Sequence, residues 1–194
     1  MHRLSTSFVL GYHGCDRRTG EQLLAGHEFK PSNNDFDWLG PGIYFWESNW
    51  ARGLEFAGEQ MTRMSSKVEV PFVVGAVIEL GSCLDLTTKA GIDLVRTAHR
   101  VLQNDFGASG MTLPYNDRGR RKHYLDCAVL KRVHSLAIGS AEIGPIQTVK
   151  GVFVEGGPAF PGSEFFAKTH TQIAVCDPAC IKAVFRVREL SRAA

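Results

Sequence analysis

Trp38-Leu39-Gly40-Pro41-Gly42-Ile43-Tyr44-Phe45-Trp46-Glu47 places two glycines, one proline and four aromatic residues within ten positions, shortly after the polar run Ser32-Asn33-Asn34-Asp35. Gly40 and Gly42 permit a tight turn and leave room for a flat molecule to approach the backbone. Ile43-Tyr44-Phe45-Trp46 then reads as a short strand that holds an aromatic face in place. Two readings stay open at this point. The aromatics pack a core strand, or they form a stacking platform for a planar group.

Outward from this stretch, the chain alternates strands and helices without repeats or a linker. Phe8-Val9-Leu10-Gly11-Tyr12-His13-Gly14 predicts a short buried strand that ends near His13. Residues 15–37 predict a loop with one helical turn near Glu21-Gln22-Leu23-Leu24. Ser48 is the expected N-cap of the next helix, whose inner stripe is Leu54, Ala57, Met61 and Met64. Pro71 opens the apolar strand Phe72–Leu80, and Leu84-Asp85-Leu86 is expected to continue it. Thr87 or Thr88 caps a helix with an inner face of Ile92, Val95, His99 and Leu102. Residues 104–121 read as loop, and a helix is expected from Lys122 to Leu136. Three late strands follow, at 149–155, 172–176 and 181–187. Strands at both ends with helices between the early ones predict a single α+β domain over residues 1–194, with antiparallel pairing among the late strands.

Composition narrows the functional classes. At 194 residues, 44% hydrophobic and 22% charged, the chain has an ordinary globular composition, and its formal net charge of +2 implies no general field for polyanions. The basic run Arg118-Gly119-Arg120-Arg121-Lys122-His123 is the one feature that tilts toward nucleic acid. Cys15, Cys83, Cys127, Cys176 and Cys180 are odd in number and lack zinc spacing, so neither a disulfide framework nor a metal is expected. No apolar run approaches membrane-spanning length, which makes a cytoplasmic protein without a membrane partner the expectation. Phosphate-binding glycine loops, the nucleophile elbow and the zinc-protease helix are absent as motifs.

Three segments remain, and their order carries a resemblance. Tyr12-His13-Gly14, then Leu39-Gly40-Pro41-Gly42-Ile43-Tyr44-Phe45, then Thr171-Gln172-Ile173-Ala174-Val175-Cys176-Asp177-Pro178 resemble the His-Tyr-Glu branch of the ADP-ribosyltransferases. That branch includes the poly(ADP-ribose) polymerase catalytic domains and the diphtheria-toxin-like enzymes. The resemblance spans Phe8 to Val187, with a helix carrying Ala51 and Phe56-Ala57 after the second segment, and it is similar to a bacterial stand-alone type. It implies a split antiparallel β-sheet with flanking helices that clasps NAD as co-substrate. By it, His13 holds the adenosine-side ribose, the Gly14 backbone holds the nicotinamide amide, Gly42 lies beside the cofactor, and Tyr44 stacks on the nicotinamide ring. His13, Tyr44 and Gln172 would form the catalytic triad.

The third segment departs from the family pattern, because Gln172 stands where an acidic residue is expected. The reaction passes through an oxocarbenium-like state, which a carboxylate stabilises. Three readings follow: Gln172 suffices for mono-transfer, Glu164 in the preceding loop supplies the charge, or the site binds NAD and reacts poorly. The resemblance implies a mono-ADP-ribosyltransferase that modifies a protein or nucleic-acid acceptor. Such a short free-standing enzyme suits the toxin of a toxin–antitoxin or phage-defence system, with an antitoxin protein as partner. The alternatives are a non-transferring NAD or ADP-ribose-binding module and an NAD glycohydrolase.

Overall fold

A computed structural model describes residues 8–64, 66–117, 122–141 and 143–188. The elements run β1 (Phe8–Asp16), α1 (Arg17–Leu24), β2 (Ile43–Glu47), α2 (Trp50–Met61), β3 (Pro71–Glu79), β4 (Cys83–Asp85) and α3 (Lys89–Ala108). They continue with β5 (Asn116–Asp117), β6 (Lys122–His123), α4 (Tyr124–Ile138), β7 (Thr148–Phe153), β8 (His170–Val175) and β9 (Ile181–Arg186). The fold is α+β. Seven strands form one sheet in the order β4-β7-β8-β2-β1-β3-β9, antiparallel throughout except for the parallel β4–β7 pair. Strands β5 and β6 form a separate hairpin.

Connectivity forces this sheet to curl. β3 lies next to one edge and β4 forms the opposite edge, five strand spacings or about 24 Å apart if the sheet were flat. The link from Glu79 to Cys83 reaches at most about 15 Å. The ends therefore come together, and Thr148 Oγ1 donates to the Leu80 carbonyl at 2.6 Å while Gln147 N donates to Ser82 O at 2.9 Å. The concave face closes on Ile43 and Phe45 of β2, Ala76 and Ile78 of β3, and Ile173 and Val175 of β8, all buried in one cluster. Residues separated by three strand positions thus share a core.

The other face carries the helices. Leu39, Leu84, Val149, Phe153 and Ala174 pack with Ala98 and Leu102 of α3 and Val129, Leu130 and Val133 of α4. α2 lies so close to β1 that a methyl group at Gly14 would sit 2.0 Å from the Gly53 carbonyl oxygen. Tyr44, Trp46 and Gln172 stand on this face at the seam between α2 and the α3–α4 pair.

Several boundaries differ from the sequence reading. Leu84 does not extend β3; it belongs to β4, across the curled sheet. β1 runs to Asp16, so His13 lies inside the strand rather than at its end. The single turn expected near Glu21 is the eight-residue α1, because the Asp16 carboxylate accepts from Arg18 N at 2.9 Å and also anchors Glu69 N and Val70 N. Asn49, not Ser48, caps α2, and Ser48 adopts a left-handed φ of 51°. Thr88 caps α3 through Gly91 N at 3.1 Å, and that helix continues to Ala108, into residues expected to be loop. α4 starts at Tyr124, where Asn116 Oδ1 accepts from Leu125 N and Asp126 N. Residues 118–121 of the basic run lie outside the described residues. Among the described residues, no helix is long and apolar enough to cross a membrane.

Candidate functional site

The three motif segments, about 30 and 130 residues apart in sequence, occupy three adjacent strands at the middle of the sheet, β1, β2 and β8. β1 and β2 pair only at Gly11↔Glu47 and Tyr12↔Trp46. Beyond Tyr12 the first strand continues beside β3 as far as Asp16↔Pro71, while β2 follows β8 to Ile43↔Val175. The two strands therefore part at the level of His13 and Tyr44. A hydrogen bond spans the gap, from His13 Nδ1 to the Tyr44 carbonyl oxygen at 2.9 Å.

That bond fixes the histidine's state. A carbonyl only accepts, so Nδ1 carries the proton, and burial holds the ring's pKa below its ordinary value, against the opposing pull of the same hydrogen bond. Near neutral pH the ring is neutral with Nε2 as a free acceptor. The ring is T-shaped to Phe29, at a centroid distance of 5.4 Å, and tilted against Phe45, at 5.7 Å. His13 thus belongs to the concave, aromatic side of the sheet.

Tyr44 faces the opposite way, as alternation from Phe45 requires. Its hydroxyl donates to Gly40 O at 2.7 Å and accepts from Leu39 N at 3.0 Å, so the turn of the opening stretch clamps the phenol. Burial raises its pKa, and the nearby Asp37 charge adds to the rise, so the phenol stays protonated and does not act as a base. Gly42 is spent on strand packing: a Cβ there would lie 3.0 Å from Val175 O and 3.2 Å from the Ala174 methyl.

Gln172 is the third residue of β8, opposite Trp46 on one side and Gly151 on the other. It shares the Tyr44 face, and its amide has no hydrogen-bond partner among the described residues. Side chains of Tyr44 and Gln172 are thus brought to one face, whereas the His13 side chain lies on the other. Glu164 is exposed on the loop after β7, and its carboxylate has no described contact with His13, Tyr44 or Gln172.

A charged network beside Gln172 has only a faint signature in the sequence. Arg52, only 6% exposed, reaches Glu155 at 3.1 Å and lies 3.5–3.6 Å from Glu59 and Glu55, with its guanidinium 6.0 Å from the Trp46 ring centre. Lys168 pairs with the same Glu55 and Glu59. These ion pairs tie the β7–β8 loop to α2. Trp46 Nε1, Arg52 Nε and His170 Nε2 are buried there without a hydrogen-bond partner among the described residues, and Arg52 Nη1 has only its ion pairs to Glu55 and Glu59. The only early signal was Trp46 ahead of a helix bearing Arg52, Glu55 and Glu59 at three- and four-residue spacing.

The thiols offer no competing chemistry, since burial pushes Cys15 and Cys176 up to about 12. No group of three or more His, Cys, Asp or Glu is arranged to hold a metal among the described residues.

Comparison with known proteins adds little. A protein of Methanocaldococcus jannaschii, named only as uncharacterized, is 46% identical over 39 residues, which cover 20% of this chain and 18% of that protein. No family model matches the chain. No solved structure matches it either.

Proposed function

We propose that this chain is an NAD-dependent mono-ADP-ribosyltransferase that works where β1 and β2 part. The observation that carries the reading is the convergence of the His13, Tyr44 and Gln172 segments on adjacent strands, with the β1–β2 ladder ending at that level. An extended dinucleotide lies across the parted strands. His13 Nε2 accepts a hydrogen bond from a ribose hydroxyl on the concave side. Gly14 offers only its backbone, because Gly53 occupies the space of a side chain. The clamped ring of Tyr44 is the nicotinamide platform, and Gln172 orients the second ribose from the same face.

In the reaction, the bond between nicotinamide and ribose C1′ breaks and the bonding pair leaves with nicotinamide. The acceptor's oxygen or nitrogen then bonds to C1′ and gives up its proton. Positioning accounts for much of such a rate. Gln172 contributes a hydrogen bond without charge, which fits single transfer rather than chain growth. The acceptor is a protein or a nucleic acid, and an antitoxin partner follows if the chain is a toxin.

The test is transfer of label from NAD carrying ³²P in its adenylate phosphate to macromolecules of a cell lysate. Label retained on a macromolecule and freed by protease or by nuclease supports the proposal and names the acceptor class. Label found only as free ADP-ribose, equal to the nicotinamide released, makes the chain a glycohydrolase.

One observation favours a second reading, a module that binds NAD without transfer. The His13 ring and the Tyr44–Gln172 pair lie on opposite faces, and among the described residues no carboxylate is bonded to Gln172. This reading predicts NAD binding without nicotinamide release, with turnover appearing in Gln172→Glu.

A further inference from the structure

α3 carries two apolar stripes, and only one of them is buried. Gly91, Ala98 and Leu102 face the core. Of the expected inner face, Leu102 is in the core and Val95 packs against it, while Ile92, Val95 and His99 are half-buried and line a cavity of about 790 Å³ between α3 and α4. Trp38, Leu86, Leu125 and Val129 complete its apolar walls. Trp38 is held rigid there, stacked on His123 at 4.2 Å with the rings within 1° of parallel and set edge-on to Phe153. The volume lies in the range of small-molecule sites, which combine apolar walls with a few polar groups that set orientation.

The charge at the rim is lopsided in what it leaves unpaired. Of the two acids, Asp93 is paired with Lys89 and Arg96, and Asp126 lies 3.4 Å from His123. Arg100 contacts only the Thr97 hydroxyl, at 3.3 Å, and has no carboxylate partner among the described residues. A free guanidinium above an apolar, aromatic-walled cavity matches a ligand with an apolar body and one acidic group. We infer that the α3–α4 cavity is a binding site for a small amphipathic anion, anchored by Arg100 and seated against Trp38, Val95 and Val129. The site is separate from the parted strands and does not depend on the NAD reading. The two are linked through the backbone, since Trp38 leads directly into Leu39 and Gly40, which hold the Tyr44 hydroxyl.

Anilinonaphthalene sulfonate and its uncharged parent, phenylnaphthylamine, test this directly by fluorescence titration of the whole protein. One sulfonate dye per chain is expected, bound roughly tenfold more tightly than the uncharged dye, the gain of one charge-assisted contact. Arg100→Gln brings the sulfonate down to the affinity of the uncharged dye and leaves the latter unchanged. Val95→Trp fills the cavity and abolishes binding of both. Ile92→Trp repeats that test from another wall if the first variant fails to show a native melting transition. No saturable binding to wild type, or undiminished binding to a folded filled variant, overturns the site. Loss of both dyes on filling, with no effect of Arg100→Gln, overturns the anion assignment.

Discussion

Phe45 and Trp46 are consecutive on β2, yet they look into opposite environments. On the concave side, Phe45 packs with Phe29 and His13, an aromatic nest where the single polar ring is satisfied by a backbone carbonyl. On the helical side, Trp46 lies under Arg52 and beside His170, amid three glutamates and a lysine. The first environment sets a protonation state by exclusion of water. The second holds the β7–β8 loop to a helix through charge. One strand of five residues separates a place built to present a neutral acceptor from one built to fix geometry. A ligand lying across the parted strands would meet both.

The largest expected effect is on the charged side. Arg52→Met leaves Glu155 without its cation and Glu55 and Glu59 to Lys168, and should cost about 3 kcal/mol in urea unfolding, the low end for a broken buried pair because the glutamates are partly exposed. An unchanged midpoint would mean that the network is ornamental to stability. Gly14→Ala comes next. Its methyl group must displace the Gly53 carbonyl, which should cost about 2 to 3 kcal/mol by the same measurement.

Tyr44→Phe is smaller. Removing the hydroxyl leaves Leu39 N unpartnered by it and should cost about 1 kcal/mol, with the ring still seated. If the ring is a platform, NAD affinity survives this change and falls in Tyr44→Ala. The smallest effect sharpens the concave side. His13 has a folded pKa below the unfolded value of 6.5, so the unfolded chain takes up the proton first. Stability from this residue is therefore complete above pH 6.5 and is lost as pH falls below it. His13→Gln should flatten the drop in melting temperature between pH 7 and pH 5. His134 and His170, also lowered by burial, retain the remainder.

Local chemistry made much of the fold legible. Thr88 as a cap, the β-branched run ending in Glu79, and the late strands at 148–153, 170–175 and 181–186 all follow from propensity and alternation. Strand order did not, because alternation says which residues share a face and nothing of which strand lies alongside. Leu84 thus crosses the sheet although it follows Leu80 by four residues. α1 was underestimated because Asp16 depends on Glu69 and Val70, more than 50 residues away. At the candidate site, the three segments were legible only through the resemblance their order carries, and their place on adjacent strands was not. The face that His13 occupies is set by where β1 leaves β2, and the Arg52–Glu155 pair joins residues 103 positions apart, so neither had a local signature.

The most direct measurement is nicotinamide release from NAD labelled in the nicotinamide ring, in lysate, for wild type, His13→Ala and Tyr44→Ala, each checked for a native melting transition. Release by wild type that falls at least about a hundredfold in both variants, the scale of lost substrate positioning, is the predicted result. Release that persists in both folded variants, or none from wild type in any lysate, would contradict transfer chemistry at the parted strands.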